Sequence, residues 1–217
     1  QGIEFIHHTE SNSIQRSEIF EFVKNNMKGN LTVCLSELIL VTVALQLGEI
    51  GVLYGIFFAL DKLFNSITQA VSNSAGIQFG KELSLNSLEA QLGPFVVIGF
   101  LNAILVSLIS LVSLNFYSEF FTLSHYLSPI IGLVFFKSIN TYFFKGILRQ
   151  GGDIEWIKTV NIWITSFVKI LISIFLVFVS YYGLSAELLF WALLVQSLVI
   201  SLIISRRLIS KRWFHEL

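Results

Sequence analysis

The sequence of 217 residues contains one cysteine, two prolines and few charged residues. The single cysteine, Cys34, excludes a disulfide framework and a zinc site built from several cysteines. Charged residues make up 13% of the chain, about half of their share in an ordinary globular protein. The formal net charge is zero, so no nucleic-acid partner is indicated. The sequence also lacks a P-loop, a dinucleotide-binding fingerprint and a zinc-protease helix motif. We therefore expect no enzyme, no organic cofactor and no bound structural metal.

Apolar residues, in contrast, are abundant. Hydrophobic residues make up 54% of the chain and include 21 phenylalanines, and the mean hydropathy is +0.76. A soluble chain of this length could not bury so much apolar surface, so the composition indicates an integral membrane protein. A helix that crosses the roughly 30 Å hydrocarbon core needs about 20 mostly apolar residues. Six segments meet this requirement, near residues 29–47, 51–79, 91–114, 124–148, 160–180 and 186–205.

These segments predict an all-α membrane protein with six transmembrane helices, and the basic residues predict its orientation. Ten lysines and arginines fall in the two tails and in the segments after the second and fourth spans, whereas the three opposite segments hold none. Basic residues favour the cytoplasmic side of a membrane, so we expect both termini in the cytoplasm. The predicted division is a cytoplasmic tail at 1–28, a six-helix lobe at 29–205 and a basic cytoplasmic tail at 206–217.

Two carboxylates and two lysines lie deep inside the predicted spans. Glu37 lies about 12 Å and Asp61 about 15 Å into their helices, at roughly 1.5 Å per residue. Lys137 and Lys169 lie at similar depths. We expect them to be ion-pair partners of these carboxylates and to line a shared cavity between the helices. A charge at this depth costs several kcal/mol unless it is paired, hydrated or neutralised. We predict a proton- or cation-linked role for Glu37, with Asp61 as the second candidate; the alternative is a structural ion pair with one of the two lysines.

Neutral polar residues form a second pattern, in the second and fourth spans. Asn65, Gln69 and Asn73 recur at steps of four residues, which places them on one face of a helix. Asn140 and Tyr142 interrupt a run of phenylalanines in the fourth span. Such residues either make hydrogen bonds to neighbouring helices or line a hydrated pathway. We predict that all five line the pathway.

Two stretches carry more specific motifs. The first is AVSNSAGIQFGKELSLNSLEAQ, residues 70–91, and the second is NTYFFKGILRQGGD, residues 140–153. Together they resemble the multidrug and toxic compound extrusion (MATE) transporters. The second stretch is similar to the G-x-L-R-G-x-G-D element found at a cytoplasmic helix end in that family, with Gln150 where glycine is common.

The resemblance implies the C-terminal six-helix lobe of a two-lobe transporter in the bacterial inner membrane, with residues 1–28 as the linker between lobes. It implies export of small organic, drug-like solutes by alternating access, driven by H⁺ or Na⁺ as the coupling ion. The second lobe would come from the same longer chain or from a second copy, with membrane lipid around both. Glu37 matches the depth of a carboxylate common in the family, whereas Ser138 stands where some members have an acidic residue.

Two alternatives remain open. Flippases of lipid-linked oligosaccharides share the fold within the same superfamily, and Lys137 and Lys169 would suit an anionic substrate of that kind. A non-transporting scaffold or truncated pseudo-transporter is an alternative of another class. It predicts a dry interior in which each polar side chain is satisfied by a neighbouring helix.

Overall fold

A computed structural model of the chain describes residues 16–46, 48–83, 88–116, 124–149, 153–181 and 187–210. These residues form six helices, and no strand occurs among them, which confirms the predicted all-α class. Two of the helices contain a π-helical turn. The six are helix 1, Arg16–Leu45; helix 2, Glu49–Leu83; helix 3, Leu88–Asn115; helix 4, Ser124–Tyr142 continued by the π-helical turn Phe143–Leu148; helix 5, which joins Ile154–Val160, the π-helical turn Asn161–Ser166 and Phe167–Tyr181; and helix 6, Glu187–Ser210.

Four of the helices are long and apolar enough to cross a membrane. They correspond to the third to sixth predicted spans and cover Leu92–Asn115, Tyr126–Leu148, Ile154–Phe178 and Leu188–Ser210. In helix 1 only Leu31–Leu45 forms an apolar stretch, which is shorter than a full crossing. Helix 2 is long, but its charged and amide side chains lower its hydropathy. The crossings by helices 1 and 2 therefore stay predictions.

Three helices extend beyond the predicted spans by five residues or more at one end. Helix 1 begins at Arg16 rather than near residue 29, helix 5 begins at Ile154 rather than near 160, and helix 6 ends at Ser210 rather than near 205. An apolar run marks only the part of a helix that suits hydrocarbon, whereas backbone hydrogen bonds continue into the membrane interface. Parts of the predicted tails at 1–28 and 206–217 are therefore helical.

The interior consists of two apolar clusters with a polar layer between them. The first cluster includes Phe57 and reaches Val134 on helix 4, while the second includes Phe79 and begins at Ile139 on the same helix. The deep charged residue of helix 4, Lys137, falls in the gap between these two positions. A similar gap on helix 5 contains Thr165, and one on helix 6 contains Gln196 and Ser197.

Two glycines allow helix 4 to lie close to its neighbours. A Cβ atom on Gly146 would lie 2.9 Å from the carbonyl oxygen of Ser72 on helix 2. At the same place the Ser72 hydroxyl donates a hydrogen bond to the carbonyl of Tyr142, at 3.0 Å. A Cβ atom on Gly99 of helix 3 would lie 2.6 Å from the Tyr142 ring. Larger residues at either glycine would push the helices apart.

The π-helical turn of helix 5 is held by side chains. Such a turn contains an extra residue, which disturbs the usual backbone hydrogen bonds and is frequent at functional sites. Gln196 of helix 6 donates from Nε2 to the carbonyls of Thr165 at 2.9 Å and Ile164 at 3.3 Å. Within the turn, the Ser166 hydroxyl donates to the carbonyl of Asn161 at 3.2 Å. These bonds stabilise the turn and tie helix 5 to helix 6.

Candidate functional site

A cavity of about 150 Å³ lies in the polar layer, between helices 1, 2, 4, 5 and 6. Its charged lining consists of Glu37 from helix 1, Asp61 from helix 2, Lys137 from helix 4 and Lys169 from helix 5. Helix 3 contributes none of the lining residues. The uncharged polar side chains of the wall are Tyr54, Asn140, Thr141, Asn161, Thr165, Gln196 and Ser197.

Glu37 lies between two lysines from different helices. Its Oε1 is 3.5 Å from Lys169 Nζ, and its Oε2 is 3.7 Å from Lys62 Nζ. The Glu37 side chain is 20% exposed and that of Lys169 is 13% exposed, so this attraction is only partly screened. Both distances exceed the roughly 2.7–2.9 Å of a charge-assisted hydrogen bond. The carboxylate is therefore attracted to two cations without being tightly bonded to either.

Asp61 forms the second ion pair of the cavity. It is only 4% exposed, and the Lys137 ammonium donates a hydrogen bond to its Oδ2. The pair joins helix 2 to helix 4. Although Asp61 and Lys62 are neighbours in the sequence, they contact different partners, because consecutive helical residues point in different directions. Of the two lysines proposed as structural partners for Glu37, Lys169 lies beside it, whereas Lys137 pairs with Asp61.

Cations outnumber anions in this group of residues. Three ammonium groups, from Lys62, Lys137 and Lys169, share the carboxylates of Glu37 and Asp61. A proton or a metal cation could neutralise one carboxylate. The positive charge of its lysine partners would then lack a nearby negative charge, which is costly in surroundings of low dielectric. Neutralisation of either carboxylate would therefore change the electrostatic balance of the group, which already carries more positive than negative charge.

The amide of Asn140 is fixed at the cavity wall by helix 6. Its Nδ2 donates to the carbonyl of Ser197 at 2.9 Å, and its Oδ1 accepts a hydrogen bond from the Ser201 hydroxyl at 2.7 Å. Asn140 is 6% exposed, so these bonds satisfy an otherwise costly buried amide. Of the uncharged residues predicted to line the pathway, Asn140 is the one that lies at this cavity.

The predicted polar stripe of helix 2 lies outside this cavity. Asn65 Oδ1 accepts a hydrogen bond from the Thr141 hydroxyl at 3.1 Å. Such a bond between helices 2 and 4 is what we expected if these residues do not line a hydrated pathway. Gln69 is half-buried and Asn73 is exposed. Thr68, further round helix 2 from Asn65, is fully buried. Asn65 lines a much smaller pocket, of about 10 Å³, together with Asp61 and Lys137. Gln69 and Asn73 are not among the lining residues of either space.

Tyr142 also lies away from the cavity. It is fully buried against Gly99 of helix 3, and its ring makes an edge-on contact with Phe143 at 5.4 Å between centroids. Residues two apart on a helix point in nearly opposite directions, so Asn140 and Tyr142 do not share a face. Tyr142 packs helix 4 against helix 3.

Most polar residues of the cavity wall were not predicted from the sequence, and Gln196, Asn161 and Thr165 show why. Gln196 is the only amide in the apolar run of span six, and an amide there needs a hydrogen-bond partner. That feature could have identified it. Asn161 and Thr165 lie near the predicted start of span five, where polar residues are common and therefore do not indicate a site. Because helix 5 begins earlier, at Ile154, both residues lie deeper than their predicted positions.

The size of the cavity restricts what it can hold. Pockets for drug-sized ligands have volumes of about 300–1,000 Å³, whereas this cavity measures about 150 Å³. At about 30 Å³ per water molecule it would hold about five waters. It therefore suits ions, water or a small polar group, and a drug-sized solute needs space elsewhere.

A buried ion pair outside the cavity lies where helix 5 begins and helix 6 ends. Asp153 accepts hydrogen bonds from Arg207 Nε at 2.8 Å and from Arg207 Nη2 at 2.9 Å, and its side chain is 2% exposed. The guanidinium carbon is 5.4 Å from the centre of the Trp156 ring. The backbone N–H of Asp153 donates to the carbonyl of Leu148 at 3.1 Å. The Asp153 side chain makes no capping bond to helix 5, and instead ties it to helix 6.

Comparison with protein-family models, with curated proteins and with solved structures finds no match for the chain. The resemblance to the MATE transporters therefore depends on the two sequence stretches. The second of these, residues 140–153, includes Asn140 at the cavity, the π-helical turn Phe143–Leu148 and the carboxylate that pairs with Arg207.

Proposed function

We propose that the chain crosses the bacterial inner membrane six times, with both termini in the cytoplasm, and forms half of a secondary active exporter. The four long apolar helices support insertion, and the distribution of lysine and arginine supports the orientation. A second six-helix lobe, from a longer chain or a second copy, completes the transporter. Small organic solutes are carried between the lobes by alternating access, driven by H⁺ or Na⁺.

The observation that carries this proposal is the position of Glu37 between two ammonium groups, at 3.5 Å and 3.7 Å. Protonation of Glu37 would leave Lys169 and Lys62 without their shared counter-charge, and Na⁺ would compete with both. Either event changes the electrostatic balance among helices 1, 2 and 5. A ligand shifts a conformational equilibrium when it binds the two conformations with unequal affinity. A proton or Na⁺ at Glu37 would do so if the two conformations place the lysines at different distances from the carboxylate. A scaffold with a dry, fully paired interior has no use for such an arrangement.

The size of the cavity supports separate places for ion and solute. A volume of about 150 Å³ suits a cation and its water. A drug-sized solute would bind in the cleft against the second lobe, close to the middle of the membrane, where repeat-built transporters have their substrate sites. Asp61, paired with Lys137, serves as the second candidate for ion coupling.

The proposal is tested by Glu37→Gln in the assembled two-lobe protein. We expect ion-driven efflux from vesicles to fall by at least about tenfold, because the amide can neither release a proton nor attract a cation. Glu155→Gln is the matched control, since Glu155 lies on helix 5 with its side chain 88% exposed. Efflux that keeps both its rate and its ion dependence in Glu37→Gln would remove Glu37 from the mechanism.

A lipid-linked oligosaccharide flippase is the second candidate function. The surplus of ammonium groups over carboxylates favours it, because a pyrophosphate-linked lipid is anionic. Reconstituted protein separates the two functions: the exporter moves a soluble fluorescent cation against an ion gradient, whereas the flippase moves a labelled anionic lipid between leaflets without needing that cation.

A further inference from the structure

The pocket of about 10 Å³ that Asn65 lines lies between helices 2 and 4, beside the ion pair of Asp61 and Lys137. Besides this ion pair, its lining consists of Phe64 and Asn65 from helix 2 and Val134 and Ser138 from helix 4. To hold one water molecule, a pocket needs about 10–15 Å³ of space for a water-sized probe and two to four polar partners. This pocket reaches the lower limit of that volume and has four polar side chains in its wall.

The hydroxyl of Ser138 lacks a hydrogen-bond partner from the protein. Ser138 is 5% exposed, and its hydroxyl makes no hydrogen bond to any residue of the described ranges. Buried serines of other helices bond to the carbonyl four residues earlier, as Ser173 and Ser201 do, but Ser138 makes no such bond to Val134. Because an unbonded buried hydroxyl is unfavourable, we expect Ser138 to find its partner inside the pocket.

Asp61 and Asn65 each use one side-chain polar atom and leave the other unbonded within the described part of the chain. Asp61 Oδ2 accepts a hydrogen bond from the Lys137 ammonium, so Oδ1 remains as an acceptor. Asn65 Oδ1 accepts from the Thr141 hydroxyl, so the remaining atom, Nδ2, is a donor. Together with the Ser138 hydroxyl, the pocket offers one acceptor, one donor and one group that can be either.

We propose that this pocket binds one water molecule, which donates a hydrogen bond to Asp61 Oδ1 and accepts hydrogen bonds from Asn65 Nδ2 and the Ser138 hydroxyl. About three hydrogen bonds are typical of a buried water. Water fits better than a metal cation, because the Lys137 ammonium lies in the pocket wall and the remaining atom of Asn65 is a donor. The water would bridge helix 2 to helix 4 and bond the second oxygen of the Asp61 carboxylate.

Phe64 can report on this water, because it lines the pocket and is only 2% exposed. The full chain in detergent micelles is exposed to short X-ray pulses, which split water into hydroxyl radicals, and oxidised side chains are measured by mass spectrometry. A radical formed at a bound water oxidises the side chain beside it, whereas radicals from bulk water do not reach a buried ring. We expect Phe64 to be oxidised at least about fivefold faster than Phe79, which is 0% exposed on the same helix and lies outside the pocket.

Three controls sharpen the test. Phe57 is the positive control, since it lines the larger cavity and is 4% exposed. Ser138→Val removes the hydroxyl and fills the pocket with methyl groups, so oxidation of Phe64 should fall to the rate of Phe79 while that of Phe57 stays unchanged. Ser173→Val is the matched variant: Ser173 is 2% exposed on helix 5 and lies outside the pocket, so oxidation of Phe64 should not change.

Two results would overturn the proposal. One is oxidation of Phe64 no faster than that of Phe79 in the unchanged protein while Phe57 is oxidised, and this result needs no variant to fold. The other is oxidation of Phe64 that Ser138→Val does not reduce, because the radical would then come from water elsewhere. Failure of the exporter proposal leaves these rates unaffected, because the measurement requires no transport.

Discussion

The two groups of buried ion pairs differ in geometry and in charge balance. Asp153 accepts two hydrogen bonds from the Arg207 guanidinium, at 2.8 and 2.9 Å, and the guanidinium lies over the Trp156 ring. Glu37, in contrast, lies 3.5 and 3.7 Å from Lys169 and Lys62. Both oxygens of the Asp153 carboxylate are bonded to a single guanidinium, whereas the Glu37 carboxylate is shared between two ammonium groups.

This difference separates a structural pair from a responsive one. A bidentate arginine–carboxylate pair has specific geometry and favours a single arrangement of the elements it joins. A carboxylate with two distant lysines has several arrangements of similar energy, and binding of a proton or a cation can change which one is favoured. The Asp153 pair is therefore expected to govern stability, and the Glu37 group to govern ion dependence.

The largest effect on stability is expected from Arg207→Gln. Asp153 would keep a buried negative charge without its cation, and breaking such a pair costs about 3–5 kcal/mol of unfolding free energy. Thermal unfolding in detergent, followed by circular dichroism, measures the loss. The double variant Asp153→Asn with Arg207→Gln should recover part of it, because neither group is then a buried unpaired charge. If Arg207→Gln unfolded like the unchanged protein, the pair would contribute nothing.

A smaller loss is expected from Lys137→Met. Asp61 is 4% exposed and would lose the ammonium that donates to it, but Lys137 is 34% exposed and water can replace part of the interaction. We expect a loss of about 2 kcal/mol in unfolding free energy. Adding Asp61→Asn should restore most of it, and the same detergent unfolding measurement applies. A loss as large as that for Arg207→Gln would place Asp61 among the fixed structural pairs.

Much of the fold follows from the sequence because a long apolar run has few alternatives in a membrane. Helix 3 shows this most clearly: residues 95–114 carry no charge, and Leu92–Asn115 forms one apolar helix. The membrane depths of Glu37 and Asp61 were counted from predicted helix ends and stay predictions, because helix 1 begins at Arg16 rather than near residue 29. Both carboxylates lie at the cavity, together with Lys137 and Lys169. Whether they couple ions stays a prediction.

The rotation of each helix about its axis was harder to predict. Asn65, Gln69 and Asn73 do share a face, but the sequence holds no signal for which neighbour that face meets. The π-helical turn Asn161–Ser166 adds a residue to one turn, which rotates everything beyond it relative to a regular helix. A lone amide in the apolar run of span six marks Gln196 as needing a partner, but its partners are backbone carbonyls, so the sequence does not show which helix it contacts.

The smallest effect on stability, and the sharpest test of the comparison, is expected from Lys62→Gln. Its side chain is 55% exposed and 3.7 Å from Glu37, so we expect a loss below about 1 kcal/mol. Removing this positive charge should nevertheless let Glu37 bind the coupling cation more tightly. We expect the half-saturating cation concentration for efflux to fall by about threefold or more.

The matched control for Lys62→Gln is Lys158→Gln, whose partner Glu155 lies at 2.8 Å with its side chain 88% exposed. This variant removes a lysine of the same chain at a distance from the cavity, so its efflux should keep the original cation dependence. Suppose that Lys62→Gln also kept the original cation dependence. The ion pairs of Glu37 would then differ from the Asp153–Arg207 pair only in their longer N···O distances. The Glu37 group would then be a second structural pair, because a responsive carboxylate must register the loss of a positive charge 3.7 Å away.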